Sequence, residues 1–400
     1  MKEFADGTGE SAGQLVCAHI FLGNAHHSVP MTRFFDSFGL SVEQVVCTPE
    51  DERPAMERHH DDSDIRFFFY RSYDHLFEFL KSLHEGSVFL LHGLFRAELR
   101  RKLLDNEDIL RRCAWFGWGA DFYPPQSTGL KGIWDQTKEL LVGRQRKRRI
   151  ARLCQQVIVC NDGDEEIMRR RMRAPRIRQL QYPLLGLSTG EAKSTSCGQE
   201  DQFRDQSGGA MVIMVGNSAA KSNEHEEIFR LISHLSEEDV HVWSPLGYGA
   251  SNQHVERVLQ SGREVFGEKF EGVTEMLAKS KYDDRLKSTD VIILGHRRQQ
   301  GLYVAKCALF HGAYLFIRRQ VTTYRKFASM GFSIGATEEL PKLSFADLKS
   351  HEGTHKEKNR KLLTECYSED ALRPKFEQLI EQMLAEVESV SHGSGGLVAN

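Results

Sequence analysis

The sequence predicts an α/β protein made of two doubly wound halves. Apolar runs of strand length alternate with segments of helical spacing, the alternation stops at one long polar stretch, and it then restarts. A chain of 400 residues is long enough to bury two cores. In the first half the runs QLVCAHIF, EQVVC, IRFFFY, SVFLL, CAWFGW and QVIVC are continuously apolar. That fits parallel strands covered on both faces, and YDHLFEFLKSLHEG supplies a covering helix. Residues 187–209, LSTGEAKSTSCGQEDQFRDQSGG, are polar and without period, so they read as a linker. Beyond them AMVIMVG, DVHVWS and TDVIILG read as strands. NEHEEIFRLISHL, VTEMLAKSKYDDRLKS and GLYVAKCALFHG read as helices, and EDALRPKFEQLIEQMLAEVESV as a long C-terminal helix. The expected division is a disordered stretch 1–12, a first domain 13–186, the linker 187–209, a second domain 210–345, a helical segment 346–388 and a disordered tail 389–400.

Composition removes several function classes. Hydrophobic residues at 40% and charged residues at 27% are those of an ordinary globular chain, which excludes a fibre or a disordered tail. No run approaches the roughly 18 apolar residues of a membrane span, and the polar, acidic MKEFADGTGESAG does not resemble a signal peptide, so a cytoplasmic protein is expected. Cysteines 17, 47, 113, 154, 160, 197, 307 and 366 show no C-x-x-C spacing, which favours buried thiols over zinc or disulfides. RHHDDSD, Arg58 to Asp64, is taken as a surface loop rather than a cation site. No metal and no cofactor is expected.

Two loops of the second half carry phosphate chemistry. In TDVIILGHRRQQGLYVAKCALFHG a strand ends at Gly295, the polar residues His296, Arg297, Arg298, Gln299 and Gln300 follow, and a helix opens at Gly301. Free N–H groups and the positive end of such a helix attract a diphosphate, and an arginine adds charge-assisted bonds. The other reading makes the arginines solvated and Gly301 only a helix start. The second loop, VGNSAAKSNEH, has Gly216 for a tight turn, with Asn217, Ser218, Lys221 and His225 as donors. Here Asn223 followed by Glu226 also fits a capping box needing no ligand. No Walker motif is present, so ATP hydrolysis is not suggested.

These stretches together resemble one known family. HGLF (His92 to Phe95), WFGWGADFY (Trp115 to Tyr123), VGNSAAKSNEH (Val215 to His225), PLGYG (Pro245 to Gly249) and RRQQG (Arg297 to Gly301), in this order, are similar to glycosyltransferase family 56 from about Cys17 to Phe316. The resemblance implies a GT-B architecture, two Rossmann-like domains facing across a cleft. It also implies transfer of an N-acetylfucosamine-like deoxyaminosugar from a dTDP-sugar to a polyprenyl-diphosphate-linked saccharide, as in enterobacterial common antigen synthesis. The expected donor-binding residues are Gly216, Asn217, Ser218, Lys221, Asn223, His225, Tyr248, Arg298, Gln299, Gln300 and Gly301.

Glycosyl transfer needs a stabilised leaving group and, if it inverts, a base for the acceptor hydroxyl. Asp121, following the glycines of WFGWGADFY, is the expected base, with His92, His27 and His26 as rivals. Alternatively Asp121 caps a turn. A lipid-linked acceptor places the protein peripherally on the cytoplasmic face of the inner membrane. GLKGIWDQTKELLVGRQRKRRIARL, with Trp134, Arg144, Arg146, Lys147, Arg148 and Arg149, is the expected contact with an anionic membrane surface, followed by a second basic run at RRRMRAPRIR. Two other readings remain at this stage: a sugar-nucleotide epimerase of the same architecture, or a basic nucleic-acid-binding protein. No nucleic acid is expected as a partner, because no recognised binding module is present.

Overall fold

The structure is a computed structural model that describes residues 2–3, 13–23, 25–58, 65–118, 121, 142–184, 209–351 and 353–393. The chain divides into two compact units, residues 1–186 with 369–400, and residues 187–368.

The first unit holds an eight-stranded sheet of β1 (Lys2–Glu3), β2 (Val16–Phe21), β3 (Glu43–Pro49), β4 (Arg66–Tyr70), β5 (Val88–His92), β6 (Cys113–Phe116), β7 (Gln156–Val159) and β8 (Ile177–Gln179). Its order is β1-β4-β3-β2-β5-β6-β7-β8, with every pairing parallel. The winding therefore reverses between β2 and β5, so the loops after these two strands flank the place where such sheets take ligands. All six expected strands of this half are present. The central ones are buried along their whole length, as unbroken apolar runs in a covered parallel sheet must be.

The second unit holds β9 (Met211–Val215), β10 (Val240–Pro245), β11 (Phe270–Val273), β12 (Val291–Leu294), β13 (Tyr314–Ile317) and β14 (Gly335–Ala336), in the order β11-β10-β9-β12-β13-β14. All pairings are again parallel. Here the reversal falls between β9 and β12, which are followed by Gly216 and Gly295. The segment VTEMLAKSKYDDRLKS was expected to be helical throughout; its helix is Lys279–Lys287, and Val273 closes the edge strand β11. Neither β11 nor β13 had been recognised as a strand. FEGV carries a glycine that usually weakens a strand; in β11 Gly272 lets the end of the Leu259 side chain pack against the backbone, 2.1 Å from where a Cβ would lie.

The long C-terminal helix is Glu369–Gly393, and it belongs to the first unit rather than to a segment of its own. Leu372, Phe376, Leu379, Ile380 and Met383 form its buried stripe at helical spacing. Phe376 stacks on Phe116 at 5.5 Å and meets Phe34 edge-on at 5.3 Å. Polar bonds complete the docking: Gln155 Nε2 donates to the Met383 carbonyl at 2.9 Å, and Arg176 pairs with Glu386 at 2.8 Å. Residues 356–367, expected to continue toward that helix, instead form a helix of the second unit. Five of the seven described cysteines are buried and all seven are free thiols. Among the described residues no helix is long and apolar enough to cross a membrane.

Candidate active site

In the second unit the four loops that leave β9, β10, β11 and β12 interlock. Gly216 has φ +75°, and a Cβ on it would sit 2.5 Å from His225 Nε2, so both backbone and space demand glycine. Asn223 does not form the expected capping box. Glu224 takes the N-cap position with φ 53° and no side-chain cap, and the helix begins at His225. Fully buried, Asn223 instead organises the loop: Oδ1 accepts from Asn217 N at 3.2 Å, and Nδ2 donates to the carbonyls of Ser218 at 2.8 Å and Ala220 at 3.2 Å. Its amide is spent on backbone groups that would otherwise be unsatisfied. The next loop is tied on by Ala219 N donating to Tyr248 O at 2.9 Å, and the half-exposed Tyr248 donates its hydroxyl to Asn217 O at 3.2 Å. The third, after β11, presses on the second: a Cβ on Gly247 would lie 2.5 Å from the Glu275 carbonyl oxygen.

Gln300 joins the two loops at the switch point. Its Nε2 donates to Asn217 Oδ1 at 3.0 Å, and its Oε1 accepts from Ser222 Oγ at 2.7 Å. Gly301 follows with φ +67°, where an L side chain would be strained, and it opens the helix Leu302–His311. Ser218 and Gln299 are buried, and Lys221 starts the short turn Lys221–Asn223. His296 is fully buried, and neither of its ring nitrogens has a hydrogen-bond partner among the described residues; the same holds for His225. Burial, followed by the charges of Arg298 and Arg318, holds His296 down to about 3; burial, followed by His254, does the same to His225. Both are therefore neutral rings without partners among the described residues, at the end where open α/β sheets generally take ligands.

Sequence reasoning missed two residues here. Arg318, at the end of β13, is buried and makes a bidentate pair with Glu227 at 3.0 and 2.7 Å. Glu227 also accepts from Arg297 at 3.1 Å, so Arg297 is ion-paired although its side chain stays exposed. The signal for Arg318 was an arginine directly after an apolar strand, a pattern common to many solvated strand ends.

The first unit brings Asp121 and His92 to one end of its sheet. Asp121 accepts Leu94 N on Oδ1 and Trp118 N on Oδ2, each at 3.0 Å, so it links the loops after β5 and β6. Burial pushes its carboxyl up to about 6, against the opposing pull of those two amides and of Lys147. His92 belongs to a buried polar chain whose proton order can be deduced. Gln44 Nε2 donates to Val42 O at 3.1 Å, so its Oε1 faces His19 Nε2 at 2.9 Å, and that nitrogen must carry a proton. His19 Nδ1 then accepts from His92 Nε2 at 3.3 Å, and His92 Nδ1 accepts the Tyr182 hydroxyl at 2.7 Å. Trp118 Nε1 donates to Tyr182 at 3.2 Å and closes the chain. The one basic nitrogen of His92 is already occupied. His26 and His27 lie in the helix Ala25–Asp36, but their side chains fall outside the described residues, as do Gly119 and Trp134. Around the loops after β2, β3, β4 and β5 lies an open cavity of about 890 Å³, lined among others by Gly23, Glu52, Arg71, Tyr73, Arg96 and Glu98.

The expected membrane residues divide once the helix Arg144–Leu153 is in place. Lys147 is a correction: it is buried, because its turn of the helix faces the core and its charge reaches Asp121. Arg149 is paired with Glu107. Arg144, Arg146 and Arg148 have no carboxylate partner among the described residues, and Arg148 Nε donates to the Arg171 carbonyl at 2.5 Å. That bond brings the second basic run alongside. Partial desolvation, then Arg144, Arg173 and Arg152, lowers the Arg148 pKa, the mark of crowded like charges. Elsewhere in the second run Arg169, Arg170 and Arg176 are paired with glutamates.

The two parallel, doubly wound sheets define a GT-B glycosyltransferase fold, and solved structures share it. A glycosyltransferase from Rickettsia africae ESF-5 aligns with TM-score 0.64 at 8% identity over 93% of this chain and 99% of that one. Anabaena HepE, solved with UDP and glucose, aligns with TM-score 0.65 at 8% identity over 92% and 100%. Sucrose-phosphate synthase from Thermosynechococcus elongatus aligns with TM-score 0.64 at 13% identity over 93% and 100%. Residues 76–336 match the family described as 4-alpha-L-fucosyltransferase glycosyl transferase group 56, and the chain belongs to that family.

The buried histidines make the second unit acid-labile. His225 and His296 stay neutral down to about 3 when folded but titrate near 6.5 when unfolded, so the unfolded chain binds more protons between those values. Stability is complete above pH 6.5 and falls as pH drops below it, by up to about 1.4 kcal/mol per pH unit for each ring. In the first unit, Asp121 and Asp164, raised to about 6 and about 7, oppose the same effect from His19 and His92. Amide exchange protection, corrected for intrinsic rate, is expected to fall more in 209–351 than in 65–118 between pH 6.5 and 5. Equal losses in both segments would contradict this assignment.

Proposed function

We propose that this glycosyltransferase moves an N-acetylfucosamine-like deoxyaminosugar from a dTDP-sugar to a saccharide on polyprenyl diphosphate. It would do so in synthesis of a bacterial surface polysaccharide such as enterobacterial common antigen, as a peripheral protein on the cytoplasmic face of the inner membrane. The observation that carries the donor half is the lock of Gln300 onto Asn217 and Ser222, which fixes the N-terminus of the helix Leu302–His311 beside the unsatisfied rings of His225 and His296. A diphosphate there would meet free N–H groups, the positive helix end and the Arg298 guanidinium, without a metal ion. Gly216, Ser218 and Lys221 would face the same ligand, and Tyr248 offers an exposed ring for the base.

In the first unit the cavity beside the loop after β2 would take the acceptor saccharide. Its volume lies in the usual range for ligand sites, roughly 300–1,000 Å³, and its carboxylates, arginines and Tyr73 suit a polyhydroxylated ring. Asp121 is the proposed base. A carboxyl near 6 suits proton acceptance at neutral pH.

Arg298→Ala is expected to weaken dTDP binding by about 1.5–3 kcal/mol, the worth of a charged hydrogen bond. Calorimetry with dTDP, UDP and GDP checks both the site and the choice of nucleotide, and undiminished dTDP affinity would remove Arg298 from it.

Asp121→Asn is expected to lower turnover by roughly 10²–10⁴ per folded molecule. It also replaces one amide acceptor by a donor facing the Trp118 or Leu94 N–H, so the melting temperature falls as well. Normal turnover in the folded fraction would leave Asp121 as a loop-holding residue alone.

Replacing Arg144, Arg148, Arg152, Arg171 and Arg173 by Gln is expected to release the protein from anionic vesicles, while Arg149→Gln, which removes a charge paired with Glu107, changes little. Co-sedimentation at low and high salt reads this directly. Equal retention of the five-fold variant would show a solvated face.

A further inference from the structure

Arg318 is 6% exposed, yet it brings a full positive charge to the end of β13. Its Nε donates to the carbonyl of Gly295, the residue from which the 296–301 loop departs. Its two terminal nitrogens are held by Glu227, which lies in the helix His225–Leu231 after the other switch-point loop. The same carboxylate holds Arg297, two residues into the loop, and Arg297 also lies 3.4 Å from Glu224. Hydrogen bonds to Arg318 and Arg297 keep the Glu227 carboxyl below its usual range, so it is charged at neutral pH. Gly295 is pressed against this segment: a Cβ there would sit 2.6 Å from the Asn223 carbonyl oxygen and from Ile228 Cγ1.

The loop is therefore anchored at both ends. Arg318 and Glu227 hold Gly295 and Arg297 at its start, and Ser222 and Asn217 hold Gln300 at its finish. His296, Arg298 and Gln299 lie between the anchors. Arg318 is buried and Glu227 partly so, and an ion pair taken out of water is a poor device for stability, since apolar residues of similar volume often serve as well. Its directional bonds are what an apolar pair cannot copy, because they set the Gly295 peptide plane and the position of the loop's second residue.

We propose that the Glu227–Arg318 pair is the positioning element for the donor's diphosphate, a role that rests on the donor-site reading above. Neither residue need touch the ligand. The pair acts through the loop, by presenting its N–H groups and Arg298 in one fixed arrangement before the nucleotide arrives.

The test is calorimetry with two probes, dTDP and thymidine, on wild type, Arg318→Lys and the double variant Glu227→Met/Arg318→Met, with thermal melts alongside. Arg318→Lys keeps the charge but loses the Nε bond and the bidentate geometry. It is expected to weaken dTDP at least tenfold while thymidine affinity stays within twofold, because only the phosphate-binding loop is released. The double variant is expected to melt close to wild type and still bind dTDP at least tenfold more weakly. Wild-type dTDP affinity in either variant would overturn the proposal, as would equal weakening of both probes. Wild-type protein that binds none of dTDP, UDP and GDP would overturn the donor-site reading, and this role with it.

Discussion

A parallel strand cannot return directly to its neighbour, and that constraint organises both units. Each crossover must carry the chain back along the face of the sheet, so every strand begins at one edge and ends at the other. All polar loops after strands are thereby gathered on one edge, and where the winding reverses two of them separate and leave room. In the second unit the loops at this place start from Gly216 and Gly295, and in the first from Leu22 and Gly93. The residues with unusual chemistry, His225, His296, Gln300 and Arg318 in one unit and Asp121 and His92 in the other, all lie toward the edge at which the strands of their sheet end.

The two units treat these buried histidines in opposite ways. The chain from Gln44 through His19 and His92 to Tyr182 and Trp118 gives the inner nitrogens a partner with consistent proton order, and the stacked rings of Phe21, Phe35 and Phe116 keep it dry and neutral. Such a chain fixes the shape of the sheet end without leaving anything for a ligand to satisfy. In the second unit His225 and His296 are as deeply buried but without partners for their ring nitrogens among the described residues. Unmet buried donors and acceptors are costly, and they are most readily tolerated where a bound molecule or ordered water completes them. The contrast explains why the second unit is the better donor-site candidate on geometry alone.

Charge is used with similar economy. Carboxylates neutralise the arginines that hold structure: Glu227 for Arg318 and Arg297, Glu386 for Arg176, Glu165 for Arg169. The arginines around Arg148 have no such partners among the described residues, although they are close enough to depress its pKa. Crowded guanidinium groups repel one another, and an anion or an anionic surface relieves that repulsion.

Much of the fold was legible in the sequence because burial on both faces of a parallel sheet writes itself as unbroken apolar runs. QLVCAHIF, SVFLL and TDVIILG needed no other information, and the stripe of Leu372, Phe376, Leu379, Ile380 and Met383 announced the last helix by its spacing. The glycines at 216, 295 and 301 marked the loops, since strand ends that approach another backbone or turn left-handed exclude a Cβ. What the sequence could not decide was partnership. Asn223 followed by Glu226 fits a helix cap, and only the folded loop shows its amide committed to Asn217, Ser218 and Ala220. Lys147 stands within a run of arginines that keep contact with solvent and differs from them by the face of the helix it occupies. Arg318 and Glu227 are 91 residues apart, and their pairing comes into existence only when β13 is laid beside β12. Periodicity and steric exclusion are local properties that survive in one dimension, whereas which donor meets which acceptor depends on distances that folding alone creates.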